Sequence, residues 1–208
     1  MTNCEQEGFL AVITGPRGVG KDTLVDHLGI PKVVGHTTRA PREGEVNGID
    51  YHFVTEELFL AMKDRNEFVE HFCYPGHNGI GLEHKGTSKQ EIHRVSNGEK
   101  IAWRIDVTSA VKIDEIICNY FPSKEAARIL ARTYVFYVGI PNLWVLSERL
   151  RNRYGGQITT SEIIRLIERD WNMWQQYKDC FNHVIINETG KLDKTVDKIR
   201  SIIQDNHK

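Results

Sequence analysis

Arg39 and Arg42 lie close together in Thr37-Thr38-Arg39-Ala40-Pro41-Arg42-Glu43-Gly44-Glu45, and Tyr51 follows after Asn47-Gly48-Ile49-Asp50. Guanidinium forks can bind phosphate oxygens bidentately, Pro41 limits backbone freedom between them, and the phenol adds a donor, so the segment is suited to grip a phosphate monoester. Upstream, Gly15-Pro16-Arg17-Gly18-Val19-Gly20-Lys21-Asp22-Thr23 has the spacing of a phosphate-cradling P-loop. Gly15, Gly18 and Gly20 let backbone N–H groups, that of Val19 among them, turn inward. The following helix start adds positive potential, and Lys21 reaches terminal phosphates. The competing reading is a plain glycine-rich turn, which Lys21 directly after Gly20, at the end of an apolar strand, argues against. One position departs from the pattern: Asp22 stands where a Ser or Thr hydroxyl coordinates magnesium. A carboxylate there is repelled by a triphosphate unless a cation lies between them, so Thr23 is expected to supply the hydroxyl and Asp22 to face the metal or its water shell.

Elements must hold these side chains in place. Phe9–Thr14 is an apolar run that reads as a buried parallel strand feeding the loop, with a helix from about Thr23 to Leu28. Glu56–Arg65 reads as a helix with Leu58, Ala61 and Met62 on one face. Phe68–Phe72, Lys100–Ile105, Tyr134–Val138 and His183–Ile186 read as strands, while glycines interrupt any period between Cys73 and Gly86. Helices are expected over Ser109–Asn119, Asn142–Arg153, Ser161–Asp179 and Lys191–Gln204. This alternation predicts an α/β fold whose parallel sheet is covered on both faces. There is no internal repeat or low-complexity linker, so one domain over residues 1–208 is expected, with a core of 9–34 and 98–208 and an inserted lobe of about 35–97.

The chain's 208 residues, 40% of them hydrophobic, suffice for a core, and 27 Lys+Arg against 28 Asp+Glu leave no broad basic face for nucleic acid. Any anion site must be local. Cys4, Cys73, Cys118 and Cys180 lack CxxC spacing and read as free thiols of a reducing compartment. The polar, acidic start Met1-Thr2-Asn3-Cys4-Glu5-Gln6-Glu7 is unlike a signal peptide, and no apolar run reaches membrane-spanning length. A cytoplasmic protein without membrane partners is expected.

The run Thr37–Val54 resembles the GMP-binding signature of guanylate kinases, TTRxPRxGExxGxDYxFV, at every fixed position. The resemblance implies a P-loop NTPase-type three-layer α/β core with a small GMP-binding lobe and a helical lid at about 149–169. It implies transfer of the γ-phosphoryl group of Mg-ATP to GMP or dGMP. Residue by residue, it gives Arg39, Arg42 and Tyr51 to the acceptor phosphate and Glu70 and Asp106 to the guanine edge. Carboxylates accept what N1–H and N2–H₂ donate, and adenine lacks that pair. Thr87, in Lys85-Gly86-Thr87-Ser88-Lys89, matches the hydroxyl of a Tyr-Gly-Thr/Ser turn that contacts guanine, and Asn187 an asparagine near the donor's adenine. Arg149 and Arg153, one helical turn apart, match lid arginines, with Arg169 as the third, beyond a Gly155-Gly156 hinge, and Arg165 as the alternative register. With Lys21 and Arg39 these lid arginines form the implied catalytic set.

Several positions depart from the family pattern. Gly35 stands where a serine is frequent, Lys85 for the tyrosine, Arg104 for an aspartate near the metal, and Gly76–Gly81 lengthens the connection after Glu70. His77 and His84 beside that connection read as loop histidines rather than metal ligands. Two alternatives stay open on sequence. One is a kinase for another phosphate acceptor such as ribose 1,5-bisphosphate, whose Gly-Lys-Asp-Ser loop resembles Gly20-Lys21-Asp22-Thr23. The other is a non-catalytic guanylate-kinase-like binding module. Monomer and homodimer are equally compatible with the sequence.

Overall fold

The computed structural model describes residues 8–75, 81–154 and 158–205. In chain order the elements are β1 (Phe9–Thr14), α1 (Lys21–His27), β2 (His36–Thr37), β3 (His52–Phe53), α2 (Glu56–Asp64), β4 (Phe68–Pro75), β5 (Leu82–Ser88), α3 (Lys89–His93) and β6 (Lys100–Arg104). There follow α4 (Val107–Ala110), α5 (Ile113–Tyr120), α6 (Ser123–Leu130), β7 (Thr133–Gly139), α7 (Leu143–Tyr154), α8 (Thr160–Tyr177), a 3-10 turn (Lys178–Cys180), β8 (His183–Ile186) and α9 (Leu192–Asp205). The chain divides into two compact units: Met1–Phe9, Lys32–Ile101 and Asp114–Arg132 form the first, and Leu10–Pro31, Ala102–Ile113 and Thr133–Lys208 the second.

The second unit is organised by a sheet of order β6-β1-β7-β8 in which β1/β7 and β7/β8 run parallel. β1 is buried along its whole length, as expected for a strand with no solvated face. Thr14 at its end donates its hydroxyl to the Ile105 carbonyl at 3.1 Å, fixing where the loop departs. Leu146, Leu150 and Ile163 form a smaller core between α7 and α8. Helix α8 starts on a capping box: Thr159 Oγ1 accepts from the Glu162 N–H, and the Glu162 carboxylate accepts from the Thr159 N–H.

The first unit carries a separate mixed sheet of order β3-β2-β5-β4, with β2/β3 parallel and β2/β5 and β4/β5 antiparallel. One hydrophobic cluster of this unit is Phe59, Met62 and Phe68, with the Phe59 and Phe68 rings stacked at 4.5 Å.

Here the structure corrects several sequence expectations. β5 lies in the stretch read as aperiodic, and the presumed Lys85–Lys89 turn is the end of that strand and the start of α3. Its residues show no apolar alternation because backbone pairing with β2 on one side and β4 on the other holds it, rather than a hydrophobic face. The buried face of α2 is Phe59 and Met62, and Leu58 is 46% exposed. The Thr55 cap on the Leu58 N–H sets the helix start, and the larger Phe59 ring takes the interior. The helix expected over Ser109–Asn119 is two pieces, because Asp106 caps α4 early, and α6 goes unread in the sequence. The Gly155-Gly156 hinge, His77 with Gly76–Ile80, and the segment through Glu7 lie outside the described residues.

Candidate functional site

The loop after β1 is shaped by backbone that only glycine adopts cheaply. Gly15 sits at φ 137°, and a Cβ there would come 2.2 Å from the Val138 carbonyl oxygen, so the strand-to-loop turn excludes any side chain. Gly20, at φ 95°, precedes α1 in the left-handed region. Lys21 folds back over this loop, its Nζ donating to the Gly15 carbonyl at 2.6 Å and the Pro16 carbonyl at 2.8 Å. Burial, then the neighbouring Arg104 guanidinium, lower its pKa from 10.5 to about 7, with Asp170 opposing and Arg153 and Arg17 adding to the fall. A polyanion entering the loop would reverse that balance, so the loop holds a cation that ligand charge completes.

The Val19 carbonyl is one of the loop's ties to the rest of this unit. Asn187, buried after β8, donates Nδ2–H to it at 2.7 Å, and Arg149 of α7 donates to it at 3.0 Å while its other arm reaches Thr189 Oγ1 at 3.0 Å. Both residues, expected beside the phosphates or the base, thus brace the loop. Asp170 of α8 was not foreseen: its side chain is 9% exposed, and it accepts the Arg17 N–H at 2.9 Å. No sequence pattern marks it, since an acid inside a helix usually faces water. Arg169 next to it reaches Asp170 Oδ1 at 3.4 Å and is half exposed, and Arg153 and Arg165 are exposed. Asp22 does not stand alone, because its carboxylate is in contact with the Arg104 guanidinium, and Thr23 is exposed. Among the described residues no group of three or more His, Cys, Asp or Glu could hold a metal ion.

In the first unit, Arg39 is held bidentately by Glu45, Nη1 to Oε2 and Nη2 to Oε1 at 2.6 Å each, with side chains only 13% and 19% exposed. Glu45 also accepts the Arg42 N–H at 2.8 Å. The Arg39 bond, ahead of that backbone bond, holds the Glu45 carboxyl down at about 2. The Arg39 guanidinium lies 5.1 Å from the Tyr51 ring centroid and 5.5 Å from that of Phe53, and the Lys85 ammonium sits 4.6 Å from the Tyr51 ring. Cations thus flank one aromatic ring. Arg42 keeps an exposed side chain.

Glu70 on β4 and Thr87 on β5 face each other in register, and Thr87 Oγ1 donates to Glu70 Oε1 at 3.2 Å. Gly35 is close-packed, since a Cβ there would meet the Gly86 carbonyl at 3.2 Å and the Tyr51 ring at 3.8 Å. Asp106, in the second unit, is the N-cap of α4. Its Oδ1 accepts from the N–H groups of Thr108 and Ser109 at 2.8 and 3.2 Å. The expectation had paired it with Glu70; Glu45, just inside the arginine-bearing stretch, was legible only as part of the signature.

Residues 8–206 match the family model described as Guanylate kinase. Among similar proteins, "Guanylate kinase 2, chloroplastic/mitochondrial" of Oryza sativa subsp. japonica is 33% identical over 201 residues, which cover 94% of this chain and 63% of that protein. "Guanylate kinase" of Fusobacterium nucleatum subsp. nucleatum is 31% identical over 202 residues, 95% of this chain and 96% of that protein. Among solved structures, guanylate kinase from Anaplasma phagocytophilum aligns with TM-score 0.65 at 23% identity, covering 96% of this chain and 86% of that one, a likeness of fold.

Proposed function

The chain belongs to the guanylate kinase family, and we propose that it transfers the γ-phosphoryl group of ATP to GMP or dGMP, releasing ADP and GDP or dGDP. The observation that carries the acceptor assignment is the Glu70–Thr87 pair on adjoining strands. A half-buried carboxylate steadied by a hydroxyl is an acceptor for guanine N1–H and N2–H₂, and adenine offers no equivalent donors. Arg39, Arg42, Tyr51 and Lys85 take the GMP phosphate, with Glu45 fixing the Arg39 fork before the ligand arrives.

The loop Gly15–Thr23 takes the donor. Its backbone N–H groups hold the phosphates, Lys21 turns from the Gly15 and Pro16 carbonyls to the terminal phosphate, and Arg149 and Asn187 keep Val19 in place. An oxygen of the GMP phosphate attacks the γ-phosphorus in line while the bond to the ADP oxygen breaks, so no protein nucleophile is involved. The protein contributes position, charge and exclusion of water. Arg153 and Arg169 are assigned to the charge that spreads over the transferring phosphoryl group. Magnesium enters as part of the Mg-ATP substrate. The acid expected to face it, Asp22, is engaged by Arg104, and a guanidinium on the same carboxylate repels a divalent ion, so Asp22 is not assigned to the metal; among the described residues no group of three or more His, Cys, Asp or Glu could hold one, and no step is assigned to a protein-held ion. We place the enzyme in the cytoplasm; no helix among the described residues is long and apolar enough to cross a membrane.

A coupled ADP-release assay across GMP, dGMP, AMP, IMP and ribose 1,5-bisphosphate tests this reading. GMP and dGMP should be turned over at least about tenfold to a hundredfold more efficiently than AMP. Equal turnover of GMP and AMP, or a preference for ribose 1,5-bisphosphate, overturns it.

A further inference from the structure

A carboxylate directly after the loop lysine is a liability for a site that must hold a polyanion: two like charges a few ångströms apart repel strongly wherever water is partly excluded. Asp22 is 57% exposed and therefore free to turn to solvent, yet it is in contact with Arg104, whose side chain is 32% exposed at the end of β6. The pair brings a fixed guanidinium to the loop at no net charge cost. Arg104 also lies close enough to Lys21 to be the strongest charged influence on it after burial, with Arg153 and Arg17 on the same side and Asp170 opposed. Cations that crowd one another in this way are stable only with anions among them, and Asp22 is one that a phosphate can replace.

We propose that Arg104 is a donor-binding residue of this chain: Asp22 holds its guanidinium beside Lys21, and when the triphosphate enters, Arg104 supplies from the protein much of the positive charge that a divalent ion would otherwise bring. The consequence is nucleotide binding that depends only weakly on magnesium. This inference rests on the loop being the donor site, and its test separates the two. A guanidinium that bonds directly to phosphate oxygens and is then removed costs roughly tenfold to a hundredfold in affinity.

The experiment is calorimetric titration of the full chain with the imido analogue of ATP, in excess magnesium and in excess EDTA. For the unaltered protein the two affinities should agree within about threefold. Arg104→Gln should bind at least about tenfold more weakly in EDTA and recover with magnesium, and Arg104→Lys should keep part of the metal-free affinity. Because Arg104→Gln leaves Asp22 uncompensated, Asp22→Asn/Arg104→Gln is titrated beside it; the same loss in EDTA, with a cooperative melt, attributes the effect to the missing guanidinium. The inference is overturned if the unaltered protein loses about tenfold or more in EDTA, or if Arg104→Gln shows the same ratio between the two conditions as the unaltered protein. If the unaltered protein binds the analogue under neither condition, the donor-site reading of the loop falls with it.

Discussion

The two regions proposed to handle phosphate are built by opposite means. The loop after β1 is made of backbone: glycine conformations that exclude a Cβ, a carbonyl braced by two distant side chains, and one half-buried lysine whose pKa its surroundings lower to about 7. The Arg39–Tyr51 region is made of side chains: a bidentate ion pair, cations against an aromatic ring, and an acid steadied by a hydroxyl across two strands. A backbone cradle is indifferent to which nucleotide carries the phosphates, whereas side chains facing a base can discriminate. The loop therefore waits for its ligand's charge to become fully cationic, while the side-chain region is charged and ordered in advance.

The contrast breaks most visibly at Lys21. Lys21→Met should lower turnover by of order 10³-fold or more, with GMP affinity by calorimetry little changed. A parallel collapse of GMP binding would mean that the two regions are not independent. Glu70→Gln comes next: the GMP KM should rise and the GMP-to-AMP preference narrow by a factor equivalent to about 1 to 3 kcal/mol, with ATP kinetics unaffected. An unchanged preference would remove Glu70 from the base site.

The third test is acidity. Lys21 has its pKa lowered from 10.5 to about 7, so the free protein holds it mostly neutral above that pH while the unfolded chain keeps it protonated. This group therefore makes folding stability rise as pH rises between those two values, and it makes nucleotide affinity fall over the same window, by up to about tenfold per pH unit. Titrations at pH 8 in buffers of different ionisation enthalpy should report proton uptake on nucleotide binding, absent in Lys21→Met. The Glu45 carboxyl, at about 2, stays charged throughout, so GMP affinity should be flat between about pH 7 and 8, where guanine N1 keeps its proton and nucleotide affinity at the loop is already falling; the Glu45 contribution disappears only as pH falls through that low value. The smallest effect is expected at Lys85. Lys85→Tyr should flatten the fall of GMP affinity with ionic strength by a few-fold between low and ordinary salt, since a screened ammonium gives way to a neutral phenol.

The same contrast explains what could be read in advance. A backbone cradle demands particular residues at particular spacings, so Gly15, Gly20 and Lys21 were legible without any coordinates, and so was the buried strand leading to them. The arginine-bearing stretch was legible as a signature, but not the work Glu45 does within it. β5 was missed because its pairing on both edges, not its side chains, makes it a strand. Asp170 and Arg104 were missed as partners because their significance lies in contacts to loop residues far away in sequence, which no local period records. Leu58 was placed inward because apolar spacing alone cannot tell which of two adjacent positions a larger ring will claim.

The bracing of Val19 sets a schedule for synthesis. The residues that fix its carbonyl lie 130 and 168 positions downstream, at Arg149 and Asn187, so a chain emerging from the ribosome has the whole loop sequence long before it has the loop's final shape. Stalled chains ending before β8 should therefore retain little of the nucleotide analogue on filtration, and chains extending through α9 should retain it. On the donor-site reading, a nascent chain that lacks β8 lacks the brace on Val19 with which the loop would hold ATP.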